Sequence, residues 1–281
     1  MSSADTYFRQ EAERLLTEGF SDRDYEVRPK WPDGTPAHTV KVDFAVRTYD
    51  LEKEFPILTL RKQAFKGVVR EMLWVFQKKS NIVDELGRSA GIWRAWERED
   101  GTIGKTYGYQ LSVKHQYDYG TLDQVDNLLY LLKNRPMDRR MILDLWNPED
   151  MHDMALPPCV FLYMFQVVDG RLDMTVIQRS GDLLAAASSG GWDTVEAALL
   201  QSAVAQVTGY RPGMLHHVVH NLHIYDRHIP LVKRVLENPE YPAPKLWINP
   251  EVKDFYDFTE DDFKLIDYEA TKLEDRFEVA E

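Results

Sequence analysis

The chain has one cysteine, Cys159, in 281 residues, so no disulfide can close within it and a reducing compartment is expected. Basic residues are scarce: 34 Lys and Arg stand against 46 Asp and Glu, a formal net charge of −12. A chain of that sign repels phosphate backbones and anionic bilayers, so neither a nucleic acid nor a membrane is expected as partner. A few converging Arg can still hold one small phosphate. No apolar run approaches the roughly 20 residues needed to span a bilayer, and the segment Met1–Glu11 lacks an apolar signal core. Walker, Gly-x-Gly-x-x-Gly and Gly-x-Ser-x-Gly loops are all missing, which removes P-loop, dinucleotide-binding and α/β-hydrolase sites. Internal repeats, low-complexity tracts and linkers are missing too. What is present is 44% hydrophobic and 12% aromatic residues with seven Trp, enough for a large core. The expectation is a soluble, cytoplasmic, globular protein.

Along the chain, helical spacing of Phe8, Ala12, Leu15 and Leu16 predicts a helix over residues 4–17, and the Pro-rich stretch 20–39 predicts a loop. Thr39–Val46 alternates, with Val40, Val42, Phe44 and Val46 expected on one face of a strand. Lys62–Lys79 reads as an amphipathic helix whose apolar face carries Glu71, and Thr121–Lys133 as a second. Arg140–Leu145 reads as a strand. Cys159–Val168 and Leu172–Gln178 flank Asp169-Gly170, a hairpin signal. Asp193–Val207 reads as a buried helix, with Asp193 as N-cap, Glu196 three residues on and Gly209 as stop. Helices and strands mix without βαβ alternation, so one α+β domain over residues 1–281 is expected, its first 39 residues a divergent helix and loop.

Four groups of residues can carry chemistry. Cys159 is either a buried small hydrophobe or a nucleophile at a strand end, which needs a nearby cation. Gln178-Arg179-Ser180-Gly181-Asp182 is either a polar turn or a phosphate grip, and Arg139-Arg140 offer the same choice. His216, His217, His220, His223 and His228 cluster within 13 residues, but no carboxylate or Cys cluster supports a metal, and none is expected. Glu71 on an apolar helix face must find a partner or accept a raised pKa, unless it reaches solvent at the helix edge.

Taken together these motifs resemble the thymidylate synthase superfamily, from about Phe55 to the region of Tyr256. Arg-Glu-Met-Leu-Trp-Val-Phe-Gln (70–77) is similar to the family's glutamate helix, and Ile92-Trp93-Arg94-Ala95-Trp96 with Tyr107-Gly108 to its tryptophan pair and Tyr-Gly. Arg139-Arg140 match its Arg pair, and Met154-Ala155-Leu156-Pro157-Pro158-Cys159 its nucleophile segment. Arg179 follows Cys159 by the family's twenty residues in Gln-Arg-Ser-x-Asp, and His223-Ile224-Tyr225 match its His-x-Tyr. The resemblance implies a three-layer α+β fold and a homodimer whose interface is a mixed β-sheet. It implies Cys159, Glu71, Tyr107 and Arg179 as catalytic residues and 5,10-methylenetetrahydrofolate as co-substrate. Arg179 and Ser180 would grip the nucleotide phosphate, with Arg139 and Arg140 from the other subunit and one cation among Arg23, Arg28 and Lys30. His223 and Tyr225 would bind the sugar, and Trp93, Trp96, Leu156 and Asp182 would line the folate side, Asp182 touching the nucleotide as well.

Three departures bear on the branch. Val160 follows the nucleophile where synthases usually have His. Ala185–Asp193 replaces Leu-Gly-x-Pro-Phe-Asn and is three residues longer, placing Asp193 where the synthase has its base-reading Asn. The tail Phe277–Glu281 differs from the synthase's. Asn to Asp exchanges the hydrogen-bond pattern of uracil for that of cytosine, and is the mark of the superfamily's cytidylate hydroxymethylases. The resulting expectation is a cytidylate 5-hydroxymethylase acting on CMP or dCMP. The longer loop at 188–191 makes room for an altered substrate and leans the reading toward CMP and nucleoside antibiotic synthesis. Phage-type dCMP modification, a divergent synthase or uridylate hydroxymethylase with Asp193 only a cap, and a non-catalytic nucleotide-binding relative stand as alternatives.

Overall fold

The computed structural model describes residues 2–91, 93–273 and 278–280; Ile92, Phe277 and Glu281 lie outside them. In chain order the elements are α1 (Ser3–Glu18), β1 (Phe20–Ser21), β2 (Thr39–Asp50), α2 (Phe65–Met72), α3 (Gly108–Ser112), β3 (His115–Tyr117), β4 (Gly120–Leu122) and α4 (Gln124–Asn134). There follow β5 (Ile142–Asp144), β6 (Val160–Val168), β7 (Arg171–Gln178), β8 (Gly181–Asp182), α5 (Trp192–Thr208), β9 (Arg211–Tyr225), α6 (Ile229–Leu236), β10 (Lys245–Ile248) and β11 (Phe263–Ile266). The main sheet runs β1-β2-β9-β7-β6-β5, with β8 also paired to β9. It is mixed, because β7 and β8 run parallel to β9 while the other neighbours are antiparallel. The α+β expectation is met.

Local chemistry accounts for most boundaries. The β6–β7 hairpin turns on Asp169 (φ 49°) and Gly170 (φ 70°), both left-handed as a tight two-residue turn requires. Gly209 (φ 81°) stops α5. The helix predicted from Lys62 starts at Phe65, and past Met72 it widens into a π-helical turn, Leu73–Gln77, marked by Lys78 N–H donating to the Leu73 carbonyl at 2.9 Å. Glu71 sits where the helix changes pitch, a common place for functional side chains. The residues expected as the start of the second amphipathic helix, from Thr121, form β4 instead, and Asp123 caps α4.

The alternation read from Thr39–Val46 is interrupted. Val42 pairs with buried Leu222, whereas Phe44 and Val46 are exposed, so the four apolar residues do not share a face. The phase changes at Asp43 opposite Asn221, whose φ of 51° turns the backbone out of the extended region. Beyond that kink Arg47, His217 and Gln178 lie on the buried face under α5. The other face carries Phe44, Val46, Val218, Ile177, Leu162, Met164 and Ile142, none of them buried in this chain.

The long segment before α5 is packed rather than open. The hydroxyls of Tyr49 and Ser189 share a 2.5 Å hydrogen bond, and Leu58 N–H donates to the Gly190 carbonyl at 2.9 Å. Ser188 to Gly191 are all buried. This corrects the expectation that the loop makes room for a substrate. Its extra residues are used up in contacts with α1, β2 and the segment before α2. Gly190 has φ 64°, and a Cβ there would meet Leu58 N at 2.5 Å and the Ala4 Cβ at 2.6 Å. Gly190→Ala should therefore lose on the order of 2–3 kcal/mol from backbone strain and collision, read as a lower urea midpoint; unchanged stability would show the loop free to move.

Candidate active site

Cys159 precedes β6 and Arg179 follows β7, so the hairpin closes by setting them side by side. Val160 pairs with Gln178, and Arg179 N–H donates to the Cys159 carbonyl at 2.9 Å. The twenty-residue spacing is the length of that hairpin. The Arg179 guanidinium donates to the Pro158 carbonyl from Nε (2.9 Å) and to the Pro157 carbonyl from Nη2 (2.8 Å), and Nη2 stands 3.9 Å from Cys159 Sγ. Its plane also faces the Trp146 ring at 5.6 Å. Tyr107, held at φ 46°, accepts the Cys159 N–H on its hydroxyl at 3.3 Å.

The thiol is not pre-ionised by this setting. Burial pushes the Cys159 pKa up and outweighs the opposing charges of Arg179 and Arg28, while Asp193 adds to the rise. Arg179 is the nearby cation a nucleophilic thiol needs, and its own charge lowers the thiol pKa without reversing the net rise. Arg28 also acts on Tyr225, so of the three N-terminal cations proposed it is the one whose charge reaches both residues. Because the thiol is unique in the chain, its titration can be followed directly. Without nucleotide, iodoacetamide alkylation should rise with a midpoint above the ~8.5 of a free thiol, and Arg179→Ala should move it higher; a midpoint below that of a free thiol would contradict this balance.

Glu71 is buried with an indole N–H on each oxygen: Trp93 Nε1 donates to Oε2 at 2.7 Å and Trp192 Nε1 to Oε1 at 2.8 Å. Burial pushes its carboxyl up to about 7 against those two hydrogen bonds, and the charge of Asp193 pushes the same way. Trp192 stands in the replaced segment and was not assigned a role from sequence. It fits because α2 carries Gly67 at the contact, where a Cβ would lie 2.9 Å from the indole. Trp93 packs edge-on against Tyr107 (5.1 Å) and Trp96 (6.0 Å), tying the Glu71 side of the cleft to the Cys159 side.

Asp193 is not the helix cap. Gly191 occupies that position, and Asp193 lies in the first turn of α5 with its carboxylate turned to the sheet, where Oδ2 accepts from Gln178 Nε2 at 2.7 Å. The capping pair predicted with Glu196 does not form either, since Glu196 is itself buried. Gln178 Nε2 also donates to the Ser180 carbonyl (2.9 Å), and its Oε1 meets His217 Nε2 at 2.8 Å. Burial pushes Asp193 up to about 6, opposed by the Gln178 hydrogen bond and by Arg47, with Asp182 adding to the rise. Arg47 is fully buried on Glu11 (2.6 and 2.8 Å).

His223 and Tyr225 share an edge-on contact at 5.2 Å at the end of β9, and Asp182 pairs with His223 through β8. Asp182 Oδ1 accepts from Leu184 N–H at 2.9 Å, and its Oδ2 is 3.7 Å from His228 Nδ1. His228 Nε2 lies 2.8 Å from the Glu278 carbonyl, which seats the described end of the tail beside Asp182. The Leu156 side chain packs on the core, and its carbonyl accepts from Thr106. Ser180 is half-buried next to Arg179. Arg139 and Arg140 stand apart. Both are exposed, Arg140 is paired with Asp138 at 2.6 Å, and Phe165 N–H donates to the Met141 carbonyl. That register sets them six residues along β6 from Cys159, roughly 20 Å at about 3.3 Å per residue, so they cannot serve the Cys159 of their own chain. No three His, Cys, Asp or Glu side chains among the described residues converge as a metal would require, and His216 is instead spent on Thr48 at 3.1 Å.

A family model described as Thymidylate synthase matches residues 6–280, which include this Cys–Arg pair and Glu71. The chain belongs to the thymidylate synthase family. It is 45% identical to the thymidylate synthase of Bacillus mojavensis over 285 aligned residues, and 45% identical to that of Bacillus phage phi3T over 284, in both cases covering all of each chain. Among solved structures it resembles the thermostable thymidylate synthase A from Bacillus subtilis, with a TM-score of 0.91 and 43% identity over 98% of this chain and 99% of that one. No helix among the described residues is long and apolar enough to cross a membrane.

Proposed function

We propose that this member of the family is a cytidylate 5-hydroxymethylase. It takes a one-carbon unit from 5,10-methylenetetrahydrofolate to carbon 5 of CMP or dCMP and adds water, releasing tetrahydrofolate. The observation that carries the reading is Asp193, a half-buried carboxyl on the first turn of α5 that caps nothing and is held by Gln178. Cytosine offers an amine donor at position 4 and an acceptor at ring nitrogen 3. The carboxyl oxygens accept from the amine, and a carboxyl raised to about 6 keeps a proton within reach for nitrogen 3. With that proton on cytosine N3 the carboxylate accepts from both the amine and N3–H, whereas uracil sets its O4 acceptor against the carboxylate and leaves a buried mismatch, about tenfold to a hundredfold in preference.

The rest of the site supports the chemistry. The Cys159 thiolate adds to carbon 6, and the displaced electron pair makes carbon 5 a nucleophile. Arg179, aided by Arg28, stabilises the thiolate. Tyr107 fixes the backbone that carries it. Folate supplies the one-carbon unit when bound. A cleft of about 740 Å³ beside Trp192, with Lys62, Lys66, Arg70, Arg88 and Tyr268 on its walls, suits a flat ring with an anionic tail. In this reading Trp93, Trp96, Leu156 and Asp182, outside the lining of that cleft, would also contact the folate. In the last step water oxygen bonds to the exocyclic carbon, its proton passes to Glu71, the ring double bond re-forms, and the carbon–sulfur pair returns to Cys159. Ser180 and Arg179 hold the phosphate, and His223 with Tyr225 the sugar. Arg139 and Arg140 would act from a second copy docked on the apolar outer face of the sheet. The packed loop at 188–191 withdraws the argument for ribose over deoxyribose, so both sugars enter the test.

A second reading, methylation of dUMP, is favoured by the names of the full-length relatives, all thymidylate synthases in the comparisons above. Mass spectrometry after incubation of CMP, dCMP, UMP and dUMP with 5,10-methylenetetrahydrofolate separates the two. A hydroxymethyl gain on a cytidylate without dihydrofolate formation is expected. A methyl gain on dUMP with dihydrofolate would overturn the proposal. Asp193→Asn should shift the cytidylate-to-uridylate ratio of kcat/KM by about tenfold or more toward uridylate, and an unchanged ratio in a folded variant would remove Asp193 from base recognition.

A further inference from the structure

Trp192 has no part in the chemistry above beyond walling the folate cleft, yet it touches Glu71 directly. It is the first residue of α5 and half-buried, and its Nε1 donates to Glu71 Oε1 at 2.8 Å while Trp93 Nε1 holds Oε2 at 2.7 Å. The last torsion of a glutamate is soft, so one donor leaves the carboxylate plane free to turn about it. Two donors on opposite oxygens, from separate elements, fix the plane. In Leu-Gly-x-Pro-Phe-Asn, the string this segment replaces, Phe precedes the Asn, so a ring with no donor has given way here to one with a donor. The backbone on either side of Trp192 is pinned. Leu58 N–H donates to the Gly190 carbonyl (2.9 Å), Gly191 N–H to that of Ser188 (2.8 Å) and Asp193 N–H to that of Ala186 (3.1 Å). From the opposite side α2 leaves the ring its place, since a Cβ on Gly67 would come within 2.9 Å of it.

We propose that Trp192 is a positioning residue for one-carbon transfer: its N–H orients the Glu71 carboxylate while its ring walls the cleft that takes the folate, so one rigid side chain sets the proton acceptor against the one-carbon donor. The inference rests on the folate and Glu71 roles proposed above, whichever pyrimidine is the substrate. A hydrogen bond donated to a carboxylate favours its ionised form, which is the form that takes the proton from water. Removing the indole N–H therefore affects Glu71 twice, in orientation and in ionisation, and raises the pH above which it can act. The other titratable groups electrostatically tied to Glu71 are Asp193 and Glu196 on α5, Tyr107 ahead of α3 and Tyr163 on β6. All of them stay in place when only the indole is changed.

Trp192→Phe keeps a ring on the cleft wall and deletes the donor. Assayed with 5,10-methylenetetrahydrofolate and the nucleotide that the wild-type enzyme converts, its kcat should fall about tenfold or more, with the folate KM within about twofold. The acid limb of its kcat profile should move up by about one pH unit. Gly67→Ala, favourable to α2 on propensity alone, pushes the ring from the opposite side. It should move the limb the same way, and it serves if Trp192→Phe fails to fold. A substrate-free infrared titration reads Glu71 directly, its carboxyl band assigned by the loss of that band in Glu71→Gln. The midpoint of the band should rise in step with the limb. An unchanged limb and midpoint in the folded variant, or a loss confined to the folate KM, would reduce Trp192 to a cleft wall and overturn the proposal. If the wild type converts none of the four nucleotides, the functional reading fails while the infrared titration still decides this one.

Discussion

The orientation of one side-chain amide sets the wiring of the cleft. Gln178 Nε2 donates both to Asp193 and to the Ser180 carbonyl, so its Oε1 is left to accept, and His217 must present Nε2–H to it. That leaves His217 Nδ1 as the acceptor for the Thr194 hydroxyl at 3.1 Å. Burial drives the His217 pKa well down, so the ring stays neutral and the tautomer is settled by its neighbours. With the amide fixed, Asp193 receives a donor on Oδ2. Behind it, the Glu11–Arg47 pair supplies a compensated positive charge that moderates the rise in the Asp193 pKa.

The same lane of polar residues explains why the acids of this site sit so close together. Glu71 and Glu196 are buried and Asp193 half-buried beside them; the charge of Asp193 raises the pKa of both glutamates, and that of Glu71 raises the pKa of Glu196. Their burial is tolerated because indole and amide donors, rather than cations, satisfy Glu71 and Asp193. Such an arrangement keeps protons mobile near neutral pH, which a strong ion pair would prevent. Arg179, the cation nearest the thiol, is bound by two proline carbonyls, so it holds its place without pairing to any of these acids.

Much of this was legible beforehand, for physical reasons. Cys159 and Arg179 were joined by the family's twenty-residue spacing, and the hairpin with Asp169-Gly170 at its tip is the physical reason that spacing sets them side by side. Gly209 ended α5 as a left-handed stop must. Apolar periodicity, however, says which face of an element is buried and not which polar residues go in with it. Arg47 and Glu11 therefore had no reading from sequence, His217 was read only in the histidine cluster and Glu196 only as a capping partner, although Arg47 and Glu196 on otherwise apolar faces were the available signal. Asp193 was misplaced by two residues because an acid before an apolar run looks the same as a cap, whereas Gly191 takes that place. The kink at Asp43 and Asn221 had no signature beyond the Asn itself, and it reassigned Phe44 and Val46 to the outer face of the sheet.

The central claim is that Asp193 reads cytosine through a shared proton. Calorimetric titration of CMP and dCMP into the protein at pH 7, repeated in buffers of different ionisation enthalpy, measures protons taken up on binding. The account predicts net uptake for the cytidylate that binds, none for UMP or dUMP, and loss of the uptake in Asp193→Asn. Cytidylate binding with no proton uptake, or uptake that survives that substitution, would contradict it.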